Sequence, residues 1–188
     1  MPTTTGTVAA LAAVAGLSGY LVWLYNRLVR LRNLVRSSWS DIDVLLKKRH
    51  DLVGNLVETV KGYAAYEKAT LIAVTEARAR AMRAGAPGER GKEEAALGET
   101  LKSLFAVAEA YPDLKANESF LELQGQLAQL ENEIEYARRY YNAVVRDYNT
   151  STETFPANLA APGFGFGSAE FFRLATPGER ERTDVRLS

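Results

Sequence analysis

The sequence predicts an all-α protein in which one N-terminal helix crosses a membrane once and an antiparallel helical bundle follows. Three observations carry this reading. No residue before Arg27 has a charged side chain, and the chain from Thr7 is apolar enough to sit in hydrocarbon. After Ser37, apolar residues recur at alternating spacings of three and four, which places them on single helical stripes. No stretch shows the two-residue alternation of a half-buried strand. Each such helix can bury only one face, so helices separated by short breaks must pack on one another or on a second chain.

Residues 1–6 form a short polar tail, and residues 7–26 form the membrane helix, with Val8, Leu11, Val14, Leu17, Leu21 and Trp23 embedded in it. Val8 to Tyr25 spans about 27 Å as a helix, close to the ~30 Å hydrocarbon core. Gly16 and Gly19 would weaken a soluble helix but are common in membrane ones. Tyr20, Trp23 and Tyr25 gather at the headgroup end, and Arg27, Arg30, Arg32 and Arg36 follow before the next acid, Asp41. By the positive-inside rule the N-terminus lies outside and the bundle lies on the cytoplasmic side of the cell membrane. Two other readings compete. A cleaved signal peptide needs a basic leading region, which residues 1–6 lack, and Ala13-Val14-Ala15 leaves too short an apolar run before it. A buried core helix fits the length but does not explain an aromatic collar followed by four arginines.

Composition narrows the function. The 188 residues carry 23 Lys plus Arg against 23 Asp plus Glu, so no global charge recruits nucleic acid. The local arginine cluster is better explained by the membrane surface. Cysteine is absent, which excludes disulfides, thiol catalysis, Cys-ligated zinc and a lipidated cysteine.

The bundle occupies residues 27–150. Trp39, Ile42, Leu46, Arg49, Val53, Leu56 and Val60 mark the stripe of its first helix. Ser38 followed by Asp41 resembles a capping signal, although the membrane helix can equally run on unbroken. Gly54 sits mid-stripe, where a bend or a close helix contact is expected. Gly62 weakens the helix. Tyr63 to Ala84 continues as an alanine-rich helix whose flat side carries Ala69, Ala73 and Ala77, and Glu76 and Arg80 form a favourable i,i+4 pair. Gly85-Ala86-Pro87-Gly88 breaks it. Lys92 to Glu109 is a shorter helix that turns Leu97, Leu101, Leu104, Phe105 and Ala108 inward, and Tyr111-Pro112-Asp113 ends it. Asn117 is the N-cap candidate for the last helix. There Phe120, Leu123, Leu127, Leu130, Ile134, Ala137, Tyr141, Val144 and Tyr148 keep a heptad seam throughout. Residues 151–172 are rich in Pro, Gly and Phe, and pack on the bundle or on the membrane surface. Residues 173–188 carry mixed charge without aromatics and read as a disordered tail.

No catalytic set emerges. His50 is the single histidine, so a ferritin-like di-metal site, which needs two Glu-x-x-His units, cannot form. A carboxylate-only cation site from Glu58, Glu67, Glu131 and Glu135 is conceivable, but solvated faces and salt bridges explain these acids as well. No Gly-x-Ser-x-Gly turn and no strand-borne phosphate loop exists. Tyr136, Tyr140, Tyr141 and Tyr148 among Arg138, Arg139 and Arg146 could stack on single-stranded nucleic acid, yet Tyr141 and Tyr148 belong to the seam and the arginines alternate with acids. Arg49 is more informative because it stands where leucine is expected. A lone buried guanidinium is costly, so it needs an acid or carbonyls from a neighbouring helix. Glu131, Glu135, Tyr136, Tyr140 and Tyr141 are the available partners, and Asp41, Asp43 and Asp51 are candidates for the same network. This network either fixes the bundle's register, the preferred reading, or forms a polar notch for a partner.

Three stretches carry a family resemblance. WSDIDVLLKKRHDLVGNLVETVKGYAAYEKATLIAVTEAR (Trp39–Arg78), YPDLKANESFLELQGQLAQLENEIEYARRYYNAVVRDYNT (Tyr111–Thr150) and FPANLAAPGFGFGSAEFF (Phe155–Phe172) resemble, in order, the signature segments of the LemA family of bacterial and archaeal membrane proteins. One departure is Gly54, which lies where the family usually has proline; a softer local bend is the expectation. The resemblance implies an N-terminal membrane helix with a soluble four-helix bundle. It implies no chemistry, since the family has no established enzymatic activity and includes members linked to membrane organisation. The function expected is that of a membrane-anchored, non-enzymatic scaffold or interaction module without cofactor or metal, contacting lipid through its first helix and an unidentified protein or a second copy through its bundle. The alternative is a regulatory subunit or adaptor of a membrane protease or envelope-stress system.

Overall fold

A computed structural model describes residues 2–173, so the tail expected over 173–188 lies outside it beyond Arg173. Among the described residues there are six α-helices and no strand: α1 (Pro2–Tyr63), α2 (Lys68–Arg83), α3 (Pro87–Ala108), α4 (Pro112–Lys115), α5 (Glu118–Glu153) and α6 (Ala157–Ala160). A 3-10 turn over Pro162–Phe164 follows.

α1 is a single helix that starts ahead of Thr7 and passes both Ser38 and Gly54 without a break. Ser38 does not cap anything. Its hydroxyl donates back to the carbonyls of Leu34 (2.9 Å) and Val35 (3.1 Å), which satisfies it inside a continuous helix. At Gly54 the expected close helix contact is present. The Arg78 guanidinium lies 3.3 Å from where a Gly54 Cβ would stand, and Arg78 Nε donates to the His50 carbonyl at 2.6 Å.

The chain divides into two compact units. The larger comprises Ser40–Tyr140 together with the segment from Glu170. It contains the C-terminal part of α1, then α2, α3, α4 and the N-terminal part of α5. Its core is the stripe residues Val53, Leu56 and Val60 with Leu71, Val74, Ala77, Leu97, Leu101, Leu104, Leu114, Phe120 and Leu127, all buried. α2 packs through Leu71, Val74, Ala77 and Ala81, whereas Ala69 and Ala73 are exposed, so of the flat side expected from Ala69, Ala73 and Ala77 only Ala77 is in contact. α3 begins earlier than expected because Pro87 takes its first turn, where a missing N–H costs nothing. Asn117 caps α5 as expected, with Oδ1 accepting from the Phe120 amide at 2.9 Å. Phe172 is fully buried in this unit, and the Arg173 carbonyl packs against the bare Cα of Gly91.

The smaller unit comprises the chain up to Trp39 and Tyr141–Ala169. Leu24, Leu28, Val35, Val144, Val145 and Tyr148 are buried, and Trp39 packs on Tyr141 with ring centroids 5.3 Å apart. The Phe-rich segment folds onto this unit through Phe166, which is buried, makes an edge contact with Tyr25 at 5.6 Å and carries the Arg32 guanidinium 4.7 Å above its ring. Asn149 holds the segment by a two-bond clamp, accepting from the Ala169 amide (2.8 Å) and donating to its carbonyl (3.0 Å). Phe155, Leu159 and Phe164 point outward.

Candidate functional site

The only chain-internal concentration of buried charge among the described residues lies in the larger unit, where α1, α3 and α5 meet. Arg49 follows Leu46 and precedes Val53 on the α1 stripe, so helix periodicity alone turns it inward, and it is 5% exposed. Glu94 occupies the equivalent position on α3, in step with Leu97, Leu101 and Leu104, and is 1% exposed. Arg49 Nη1 donates to Glu94 Oε2 at 2.9 Å, and Arg49 Nη2 pairs with Glu131 Oε1 of α5 at 2.7 Å. The other Glu94 oxygen meets His50 Nε2 at 2.6 Å. An ionised carboxylate only accepts, so Nε2 is the donor in this contact whenever Glu94 is ionised. Arg49 Nε alone in the group has no acceptor.

Glu94 is thus chelated by two cation-capable side chains from adjacent positions on α1, and Arg49 bridges two acids from two helices. The desolvation of Arg49 is offset by this pairing, and removing either partner would leave a buried charge uncompensated. Glu131 is different, because its side chain is about half exposed. Its carboxyl is held above the usual carboxylate range, chiefly by partial burial; the attraction of Arg49 opposes this and the repulsion of Glu94 adds to it. Beside Arg49 and Glu131 opens a cavity of about 360 Å³ walled by Leu101, Phe105, Leu127 and Ala128.

Of the residues expected in the network, Arg49 and Glu131 meet. Asp41, Asp43, Asp51 and Glu135 do not join them. At about 100° per residue, Asp41, Asp43 and Asp51 are rotated from Arg49 by roughly 80°, 120° and 160°, which takes them off the buried stripe. Asp43 instead pairs with Arg90 at 2.9 Å on the surface, and Glu135 pairs with Arg139 one turn along α5 at 3.3 Å. Tyr136 and Tyr140 are exposed. Glu94 and His50 were the members missed. The signal for Glu94 was present: extending the α3 stripe one step N-terminal from Leu97 lands on it, as the α1 stripe lands on Arg49. The four acids considered as cation ligands are dispersed, with Glu58 near Lys61, Glu67 accepting from the Tyr111 hydroxyl, Glu131 on Arg49 and Glu135 on Arg139. Among the described residues no three ligating side chains converge.

The second feature is the first part of α1. Val8, Leu11, Val14, Leu17, Leu21 and Trp23 are all exposed on the protein surface, Leu11 by 70% and Leu17 by 61%. Among the described residues α1 is the helix long and apolar enough to cross a membrane, and almost none of that apolar window is buried within the chain. Trp23 stacks near Tyr20 at 5.8 Å and under the Arg27 guanidinium at 5.5 Å.

These features define a helical-bundle protein led by one helix long and apolar enough to span a bilayer. The family model of the LemA family matches residues 38–187, and the chain belongs to that family. Its relatives include magnetosome protein MamQ 2 of Paramagnetospirillum magneticum, 25% identical over 93% of this chain and 75% of the relative. Magnetosome protein MamQ of Magnetospirillum gryphiswaldense is 23% identical over 85% of this chain and 68% of its own length. Protein LemA of Metamycoplasma hominis is 27% identical over 87% and 74% respectively.

Proposed function

We propose that the protein is a single-pass membrane-anchored, non-enzymatic scaffold whose bundle meets a protein partner at the cytoplasmic membrane surface. The observation that carries this is the row of exposed Val8, Leu11, Val14 and Leu17 on the helix that runs on into the bundle. So much outward apolar surface is stable in lipid and costly in water. The non-enzymatic part is supported by the network, in which both Glu94 oxygens are engaged by Arg49 and His50, and neither Glu94 nor His50 lines the cavity beside Arg49. The seam of α5 is buried through Phe120, Leu127, Leu130, Ile134 and Tyr141, so a partner or second copy would meet the outward face instead. Tyr136 and Tyr140 stand one turn apart there, 67% and 54% exposed, and exposed aromatics of this kind are common anchors of protein contacts.

Crosslinking in native membranes tests the scaffold. The expected result is a discrete higher-mass species that weakens in Tyr136→Ala/Tyr140→Ala; monomers with no co-purifying protein would remove the reading. Because this 188-residue sequence has no cysteine, topology can be read from single introduced thiols. Glu58→Cys should react with an impermeant maleimide only after the membrane is opened, and Thr4→Cys should react in intact cells. The reverse pattern inverts the orientation drawn from the arginine cluster.

A further inference from the structure

Arg32 and Arg36 lie one turn apart on α1 and line a cavity of about 360 Å³ together with Tyr148 and the turn around Gly165, Gly167 and Ser168. No carboxylate lines it, and neither arginine has an ion pair among the described residues. Arg32 is held in place by its stack on Phe166, yet its Nε is buried without an acceptor. A fixed guanidinium with an unmet donor is an unfavourable state for a folded chain unless something fills it.

The turn supplies further donors. Gly165 is left-handed (φ 72°), and its amide and that of Phe166 are used by the carbonyls of Pro162 and Ala161. The Ala169 amide is used by Asn149. The amides of Gly167 and Ser168, between them, donate to nothing among the described residues. The Tyr148 phenol is raised by burial while the nearby Arg32 and Arg36 pull it down, so both positive charges reach the same space. Two guanidiniums and free amides with no acid present match a tetrahedral oxyanion rich in acceptors.

We propose that Arg32, Arg36 and the Gly167–Ser168 amides form a binding site for a phosphate group, carried either by a lipid headgroup or by a soluble phosphate. Arg32 begins on the order of 10 Å beyond Tyr25 along α1, and helical side chains lean toward the N-terminus, back toward the headgroup layer. Arg27 and Arg30 differ, because they lie outside this cavity. The site itself requires no membrane, whereas the lipid source rests on the anchored reading above.

The test uses the full chain. In detergent, inorganic phosphate is titrated by calorimetry against chloride of equal ionic strength; in nanodiscs of phosphatidylcholine with and without phosphatidylglycerol, retained lipid is read by native mass spectrometry. Saturable binding of phosphate, or selective retention of phosphatidylglycerol, is expected from the wild type. Arg32→Gln/Arg36→Gln should lose roughly tenfold or more in that binding, while Arg27→Gln/Arg30→Gln, which removes the same charge, should change it by less than about threefold. Phosphate binding in detergent identifies a soluble source, and phosphatidylglycerol retention without it identifies the lipid. Equal losses in both double variants would reduce the site to a diffuse basic belt, and no binding of either probe by the folded wild type would overturn it. The chloride comparison decides the case even if Arg32→Gln/Arg36→Gln does not fold. Failure of the chain to stay in membranes while phosphate still binds would strike the anchor and leave the site standing.

Discussion

Replacing Glu94 with leucine probes the network at the point where its consequences are largest. The Arg49 side chain is 6% exposed and that of Glu94 is fully buried, so the acid cannot be replaced by water at little cost. After Glu94→Leu, Arg49 keeps only Glu131, whose 46% exposure limits that pair to about 1 kcal/mol or less. His50 Nε2 loses its acceptor at the same time. Breaking one side of a buried pair costs about 3–5 kcal/mol. For a chain of this size each kcal/mol moves Tm by about 2–4 °C, so a fall of roughly 10 °C is expected. The double variant Arg49→Met/Glu94→Leu removes both charges and fills the space with apolar groups but still leaves His50 Nε2 without its acceptor, so it should recover to within about 1–3 kcal/mol of wild type. The assay is thermal loss of the helical circular dichroism signal of the full chain in detergent, run on both singles and the double. A Glu94→Leu variant within about 1 kcal/mol of wild type, or a double variant no better than the single, would show that the pair does not carry the desolvation assigned to it.

Other consequences follow from single contacts. The folded-state pKa of Glu131 is raised, so its favourable contribution is fully present below the ordinary carboxylate value and is lost as pH rises through the folded value. Glu131→Gln should therefore gain in Tm relative to wild type as pH is raised from 4 to 7, and parallel pH curves would contradict this. Gly91→Ala would drive a Cβ into the Arg173 carbonyl, at a cost of about 1–3 kcal/mol seen as a lower Tm and faster amide exchange around Phe172. Asn149→Ala removes both bonds to Ala169, and exchange of the Ala169 amide should accelerate by about tenfold with little change elsewhere.

How much of this was legible in the sequence depends on whether a residue's role is set by its own helix. Arg49, the α5 seam and the Asn117 cap follow from periodicity or local chemistry, and each stands where the pattern put it. The 62-residue α1 was only half legible, because Ser38-x-x-Asp41 is a capping signal that a helix interior can also hold by bonding Ser38 back to Leu34 and Val35. Partner choice was the least accessible. Asp41, Asp43 and Asp51 are near Arg49 in sequence but on other sides of α1, whereas Glu94 is distant in sequence and on the matching side of α3. An acid on an apolar stripe is as informative as an arginine on one, and the two together name each other.

The two sets of arginines differ in what the chain places around them. At Arg49 every nearby acid needed to balance the buried charge is supplied by the chain, with Glu94 sealed from solvent and Glu131 at its edge. Arg49 bridges Glu94 of α3 and Glu131 of α5, so one α1 side chain ties three helices together. At Arg32 and Arg36 the chain supplies positive charge, aromatic support from Phe166 and free amides, but no acid. Each set leaves one buried Nε unmet, so what separates them is charge balance: the chain's own acids pair with Arg49, whereas no acid lines the cavity beside Arg32 and Arg36. The second set follows the apolar segment on the same helix, which is what makes a lipid headgroup one of the two phosphate sources that the proposed site would accept.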